Sequence, residues 1–150
     1  MRKNLLATAV LVLSALLAPG CSTMKPPTLA VDGLKVGDMG LSGVALDVGF
    51  RIRNPNPEPL RIERFEYELL VNGKSLGHGY ESKGTDLAGY GEAKVMSRFD
   101  VNTLKVPGVA MKVLRQDKVH ARAKGKYYTS GSYGKKELGF DSDVEVNLSK

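Results

Sequence analysis

VALDVGFRIRNPNPEP, residues 44–59, decides the class of fold. Val44, Leu46, Val48, Phe50 and Ile52 alternate with Ala45, Asp47, Gly49, Arg51 and Arg53. A period of two sorts side chains onto the two faces of an extended strand, whereas a helix would mix them. The run stops where Pro55, Pro57 and Pro59 remove three backbone donors, so ladder pairing cannot continue through them. A residue before proline is pushed out of the helical region. The side chains of Asn54 and Asn56 can bond the backbone groups that the prolines leave without ladder partners. Asn54, Pro55 and Asn56 therefore read as a rigid crossover between a buried strand and the next one.

Period two continues downstream. Residues 60–71 form a second strand whose apolar face shifts phase, from Leu60 and Ile62 to Phe65, Tyr67, Leu69 and Val71. A bulge near Glu63 and Arg64 reconciles the two halves. Asn72-Gly73 is a strong hairpin signal, and residues 74–82 return with Leu76, His78 and Tyr80 assigned to one face. Residues 83–91 read as a glycine-bearing loop. Ala93, Val95, Ser97 and Phe99 mark another strand. Val106, Val109, Ala110, Val113 and Leu114 then recur at helical spacing, with Pro107 near the start, and predict one short helix over 103–115. Val119, Ala121 and Ala123 return to period two, residues 129–136 form a turn, and Leu138, Phe140, Val144, Val146 and Leu148 close the chain. With a first strand at 30–36, the pattern predicts an all-β domain. Its expected form is a single immunoglobulin-like or fibronectin III-like antiparallel β-sandwich of about seven strands.

The N-terminus reads differently. Arg2 and Lys3 precede an apolar run at 5–17, then Ala18, Pro19, Gly20 and Cys21. A charged start, a short apolar run and a small residue before the cut describe a secretory signal peptide. The run is shorter than the roughly 20 apolar residues of a membrane-spanning helix. Cys21 is the single cysteine, so an internal disulfide is out of reach and another role is needed. The arrangement resembles a lipoprotein signal in which Cys21 is acylated and begins the mature chain. Ala18 stands where that pattern usually has leucine, with Leu17 one further back. Ser22 after the lipidated residue implies sorting to the outer membrane. The expected organisation is a signal at 1–20, a lipidated cysteine and tether at 21–29, and one domain at 30–150.

Removing residues 1–20 takes away Arg2 and Lys3, so the formal net charge falls from +6 to +4. That mild excess, with no aromatic-basic motif, points away from nucleic acid. His78 and His120 fall on different predicted strands, no G-x-S-x-G motif occurs, and no catalytic triad is visible. No metal or cofactor is expected. Asp141 and Asp143 lack the glycine and later glutamate of a calcium loop. His120, Arg122, Lys124 and Lys126 alternate on one strand face. Arg122, Lys124 and Lys126 are candidate contacts for anionic lipid or polysaccharide. The competing reading is local: Asp141, Asp143 and Glu145 share the same period on the following strand, and antiparallel pairing would set opposite charges face to face.

Residues 44–79 resemble the late embryogenesis abundant type 2 family, also called the water stress and hypersensitive response domain. The resemblance is carried by the alternating run into R-N-P-N-P at 53–57, then Leu60, Ile62, Tyr67, Leu69, Val71, Asn72-Gly73 and Gly79, and extends more loosely over residues 29–148. The absence of tryptophan departs from members that carry one. The resemblance implies a β-sandwich without catalytic residues and a role in stress protection. The expectation is a non-enzymatic envelope lipoprotein that binds or protects other envelope components, held by its N-terminal lipid on the periplasmic face of the outer membrane. The alternatives are a carrier with an apolar ligand or lipid between the sheets, and an unrecognised hydrolase.

Overall fold

The computed structural model describes residues 23–40, 43–102 and 115–149. Eight strands follow one another: β1 (Thr28–Met39), β2 (Gly43–Arg53), β3 (Leu60–Val71), β4 (Lys74–Glu81), β5 (Thr85–Leu87), β6 (Glu92–Asn102), β7 (Lys118–Gly131) and β8 (Lys136–Ser149). Every regular element among the described residues is a strand. The helix expected over 103–115 lies, apart from Arg115, outside the described residues, as do the signal segment and Cys21.

The strands follow a single hydrogen-bonded path, β4-β3-β7-β8-β1-β2-β6, with β5 pairing β3 beside it. This differs from the expected two-sheet sandwich of about seven antiparallel strands. The difference lies in one seam. β1 pairs β8 in parallel through two register positions, Leu34 with Leu148 and Lys35 with Ser149. Further along, the buried Ser142 hydroxyl accepts a 2.9 Å hydrogen bond from the Val31 amide, a substitute for a missing rung. At the far end of the path, β4 and β6 come alongside each other. Gly77 lies so near the Phe99 ring that an added Cβ would stand 3.3 Å from it. The result is a nearly closed, barrel-like sheet, with β5 as an eighth strand inside the stretch expected to be loop.

Local signals in the chain account for most of the path. Asn72 and Gly73 adopt φ of 50° and 77°, the left-handed pair that a two-residue hairpin needs, and they join β3 to β4. The pairing of β3 with β7 slips between Ile62 and Arg64, which places the expected bulge at Glu63. A second bulge goes beyond the sequence pattern. The β3–β4 register shifts after Leu69, where Gly77 sits at φ 133°. The slip turns Leu76 inward and leaves His78 and Tyr80 outside, so these three do not share a face. A residue with a side chain rarely adopts that φ.

The interior is packed on aromatic rings. Phe50 stands edge-on to Phe65 and Tyr67, with centroids 4.9 and 4.8 Å away, and to Phe140 at 6.3 Å. Such edge-to-face contacts set the positive rim of one ring against the negative face of the next. The space between opposing strands, where an apolar ligand would sit, is thus filled by the protein's own side chains. Two phenols reach polar partners inside. The Tyr67 hydroxyl donates to Ser97 Oγ at 3.0 Å, and that of Tyr127 donates to the Pro27 carbonyl at 2.6 Å.

Burial pushes the Tyr67 phenol up to about 12, and burial does the same for Tyr127. In the unfolded chain a tyrosine ionises near pH 10. Above that pH the unfolded chain releases protons that the folded chain retains, so stability falls as pH rises. We expect the melting temperature to drop between pH 10 and about 12, with less phenolate absorbance at pH 11 in the folded chain than in denaturant. Equal absorbance in both would show these phenols to be solvent-exposed.

Candidate functional site

Asn54 and Asn56 leave β2 fully buried, at 0% and 2% exposure, although they are polar and lie in a loop. Burial of an amide is costly unless its donors and acceptors are used. Here they are used. The Asn54 amide group donates to the Glu58 carbonyl at 2.8 Å and the Ala88 carbonyl at 3.0 Å. Its Oδ1 accepts from the Asn56 backbone amide and from Asn56 Nδ2, both at 3.0 Å. Asn56 then holds the incoming chain: its Oδ1 accepts from the Lys25 amide and its Nδ2 donates to the Lys25 carbonyl, each at 2.8 Å. Backbone bonds complete the junction, from the Asn54 amide to the Gly91 carbonyl and from the Tyr90 amide to the Asn56 carbonyl. Lys25, Glu58 and Ala88, from three stretches of the chain, meet on two side chains. Asn54, Pro55 and Asn56 stand where the chain passes from β2 to β3. Pro55, between them, is partly buried and fixes the spacing of the two amides. The docking of Lys25 is not legible in the sequence; the first strand begins at Thr28, and residues expected to act as a tether are held against the barrel.

The second candidate is the charged face of β7. It pairs β8 with His120 opposite Glu145, Arg122 opposite Asp143 and Lys124 opposite Asp141. The closest ion pairs run diagonally. Arg122 grips Asp141 with two bonds, of 2.8 and 2.5 Å, and Lys126 reaches Glu137 at 2.6 Å. Lys124 turns the other way, to Glu68 on β3 at 3.0 Å. The Arg122 guanidinium holds the Asp141 carboxyl below its ordinary range, and the Lys126 ammonium does so for Glu137. Glu68 is also lowered, first by the Ser75 hydroxyl and then by Lys124. All three candidate surface cations, Arg122, Lys124 and Lys126, are committed to carboxylates of the same sheet. Such exposed pairs fix register more than they stabilise, and they leave little net field for an anionic ligand.

A row of cross-strand neighbours, Gly79, Tyr67, Gly125 and Phe140, crosses four strands. Residues directly opposite in antiparallel strands share a face; Gly79 leaves room for the inward Tyr67 ring, and Gly125 lets the β3 backbone come close. An open groove of about 670 Å³ lies against this row, walled by Glu66, Glu68, His78, Tyr80 and the two lysines. No cluster of three metal-ligating side chains occurs among the described residues, and His78 and His120 stand on different strands.

A family model for late embryogenesis abundant proteins matches residues 49–144, which span the crossover, the glycine row and the charged face. The chain belongs to the late embryogenesis abundant type 2 family. Solved structures agree on the fold of this late embryogenesis abundant domain. A protein from Arabidopsis thaliana aligns over 90% of this chain and 90% of its own, at 14% identity and a TM-score of 0.66. A solution structure described as a late embryogenesis abundant protein aligns over 97% and 88%, at 15% identity and 0.52. A protein from Archaeoglobus fulgidus aligns over 83% and 97%, at 13% identity and 0.50. Among proteins of curated function none matches.

Proposed function

We propose that this late embryogenesis abundant domain serves a non-enzymatic, stress-related role in the cell envelope, tethered by lipid on Cys21. Membership of the family over residues 49–144 is the observation that carries the role, and the solved late embryogenesis abundant neighbour supports it. The anchor rests on sequence: Cys21 is the only cysteine and follows an apolar run and Gly20. On this reading residues 1–20 are a removed signal, Cys21 starts the mature chain, and Ser22 directs it to the periplasmic face of the outer membrane. The aromatic filling of the interior weighs against the carrier alternative.

One acyl chain holds a protein only marginally, and two or more give stable anchoring. Cys21→Ala removes the acylation site. In fractionated cells fed labelled fatty acid, the wild-type chain is expected in the outer-membrane fraction carrying label, and the variant unlabelled. A soluble, unlabelled wild-type chain would refute the anchor; label with inner-membrane sedimentation would refute only the sorting inferred from Ser22. The stress role is tested by survival after drying and rewetting of cells lacking the protein, which is expected to fall relative to cells in which it is restored. Unchanged survival would count against it.

A further inference from the structure

The way the chain joins the barrel carries an inference that rests on the lipid-anchor reading. Lys25 is clamped by both amide atoms of Asn56, and the Pro27 carbonyl is held by Tyr127. Between Cys21 and Lys25 the chain advances four residues, which at full stretch reach about 14 Å. The leash is therefore much shorter than the barrel, whose β1 alone extends about 35 Å. Whatever end of the barrel holds Lys25 must stay near the lipid. That end is defined by the register: Thr28 pairs Arg53, Leu60 pairs both Leu87 and Gly131, and Thr129 pairs Lys136. It gathers the crossover, the 88–91 loop and the β7–β8 turn.

Two features of this end indicate what it meets. The first is charge. Lys25, Arg53, Lys135 and Lys136 are exposed there, and no ion pair among the described residues engages them. The carboxylates nearby are Glu58, Glu63 and Asp86, which both pair with Arg61, Glu92, which is shared with Arg51 at 3.7 Å, and Glu137, which is taken by Lys126. The balance is positive, unlike the compensated face of β7. The second feature is Tyr90. It is 69% exposed, its φ is 55°, and its amide is bonded to the Asn56 carbonyl at 2.8 Å. The asparagine junction thus presents an amphipathic ring on a braced loop, at the end the leash pulls toward lipid. Tyrosine rings settle at the headgroup level of bilayers, and basic side chains are drawn to anionic headgroups.

We propose that this end is a docking face for an anionic phospholipid surface, with Tyr90 at headgroup level and the barrel standing on end. The chain contains no tryptophan, so Tyr90→Trp and Met39→Trp each install a single indole. Met39 is 66% exposed and ends β1 at the opposite pole. Each full-length variant is purified from bacterial membranes, floated with vesicles of phosphatidylcholine and phosphatidylglycerol, and quenched by a headgroup nitroxide. The Tyr90→Trp variant is expected to lose about half of its indole emission and the Met39→Trp variant almost none, given the roughly 35 Å between the poles. Adding Lys135→Glu and Lys136→Glu to the Tyr90→Trp variant should weaken its quenching. A chain that floats but shows equal quenching at both positions overturns this docking face while the anchor stands. A chain that does not float overturns both.

Discussion

Asn54→Ala is expected to destabilise the barrel by about 4 kcal/mol, measured by urea unfolding, out of the roughly 5–15 kcal/mol typical of such domains. The substitution removes no large apolar surface. It strands the carbonyls of Glu58 and Ala88 and both amide nitrogens of Asn56, all of which bond the Asn54 side chain. A buried polar group left unpaired costs about 1–3 kcal/mol, and several in one network do not simply add. Asn56→Ala should cost less, since it frees two backbone groups, the amide and carbonyl of Lys25, and leaves the Asn54 bonds to Glu58 and Ala88 in place. Its signature would be faster amide exchange at residue 25 with the sheet still protected. If the stability of Asn54→Ala lies within about 1 kcal/mol of wild type, less than one stranded group should cost, the crossover is not held by this side chain.

Gly125→Ala should be nearly as damaging, for a different reason. A Cβ there would overlap the Glu66 carbonyl oxygen and lie 2.8 Å from the Tyr67 Cα. Both obstacles are backbone of a paired strand, so no rotamer change relieves them. Ordinary core overpacking costs about 1–3 kcal/mol, and crowding against backbone should reach about 3 kcal/mol or more. Gly33→Ala is the control. Nothing stands within 4 Å of its added Cβ, and a change within about 0.5 kcal/mol is expected. Similar unfolding midpoints for the two variants would mean that β3 and β7 are not in this close contact.

What the sequence makes legible is local. Period two places the strands, Asn72-Gly73 places a hairpin, and the phase change in β3 places the bulge at Glu63. The facing charges of β7 and β8 follow from a shared turn, because an antiparallel pair joined by a short turn has a single sensible register. What is not legible depends on chain partners far apart. Glu68 takes Lys124 because β3 and β7 are neighbours, and nothing between residues 71 and 118 announces that. Parallel pairing of β1 with β8 leaves no turn to read. Placing Leu76 on one face with His78 and Tyr80 treats Gly77 as an ordinary strand residue, although a glycine inside a strand pattern is itself a bulge signal. For the asparagines, residue type and the neighbouring prolines indicate the crossover. Only the assembled barrel shows that the crossover also captures Lys25.

The seam between β1 and β8 has a kinetic side. Contacts between elements adjacent in the chain, such as the β3–β4 and β7–β8 hairpins, can form early because little loop entropy is spent in closing them. The seam joins the first strand to the last, through two rungs and one serine hydroxyl. A chain emerging from its N-terminus can pair β1 with β2 early, but it cannot form the seam until β8 appears. Until then β1 exposes an unpaired edge, and the nascent chain stays open and pliable until β8 has been made.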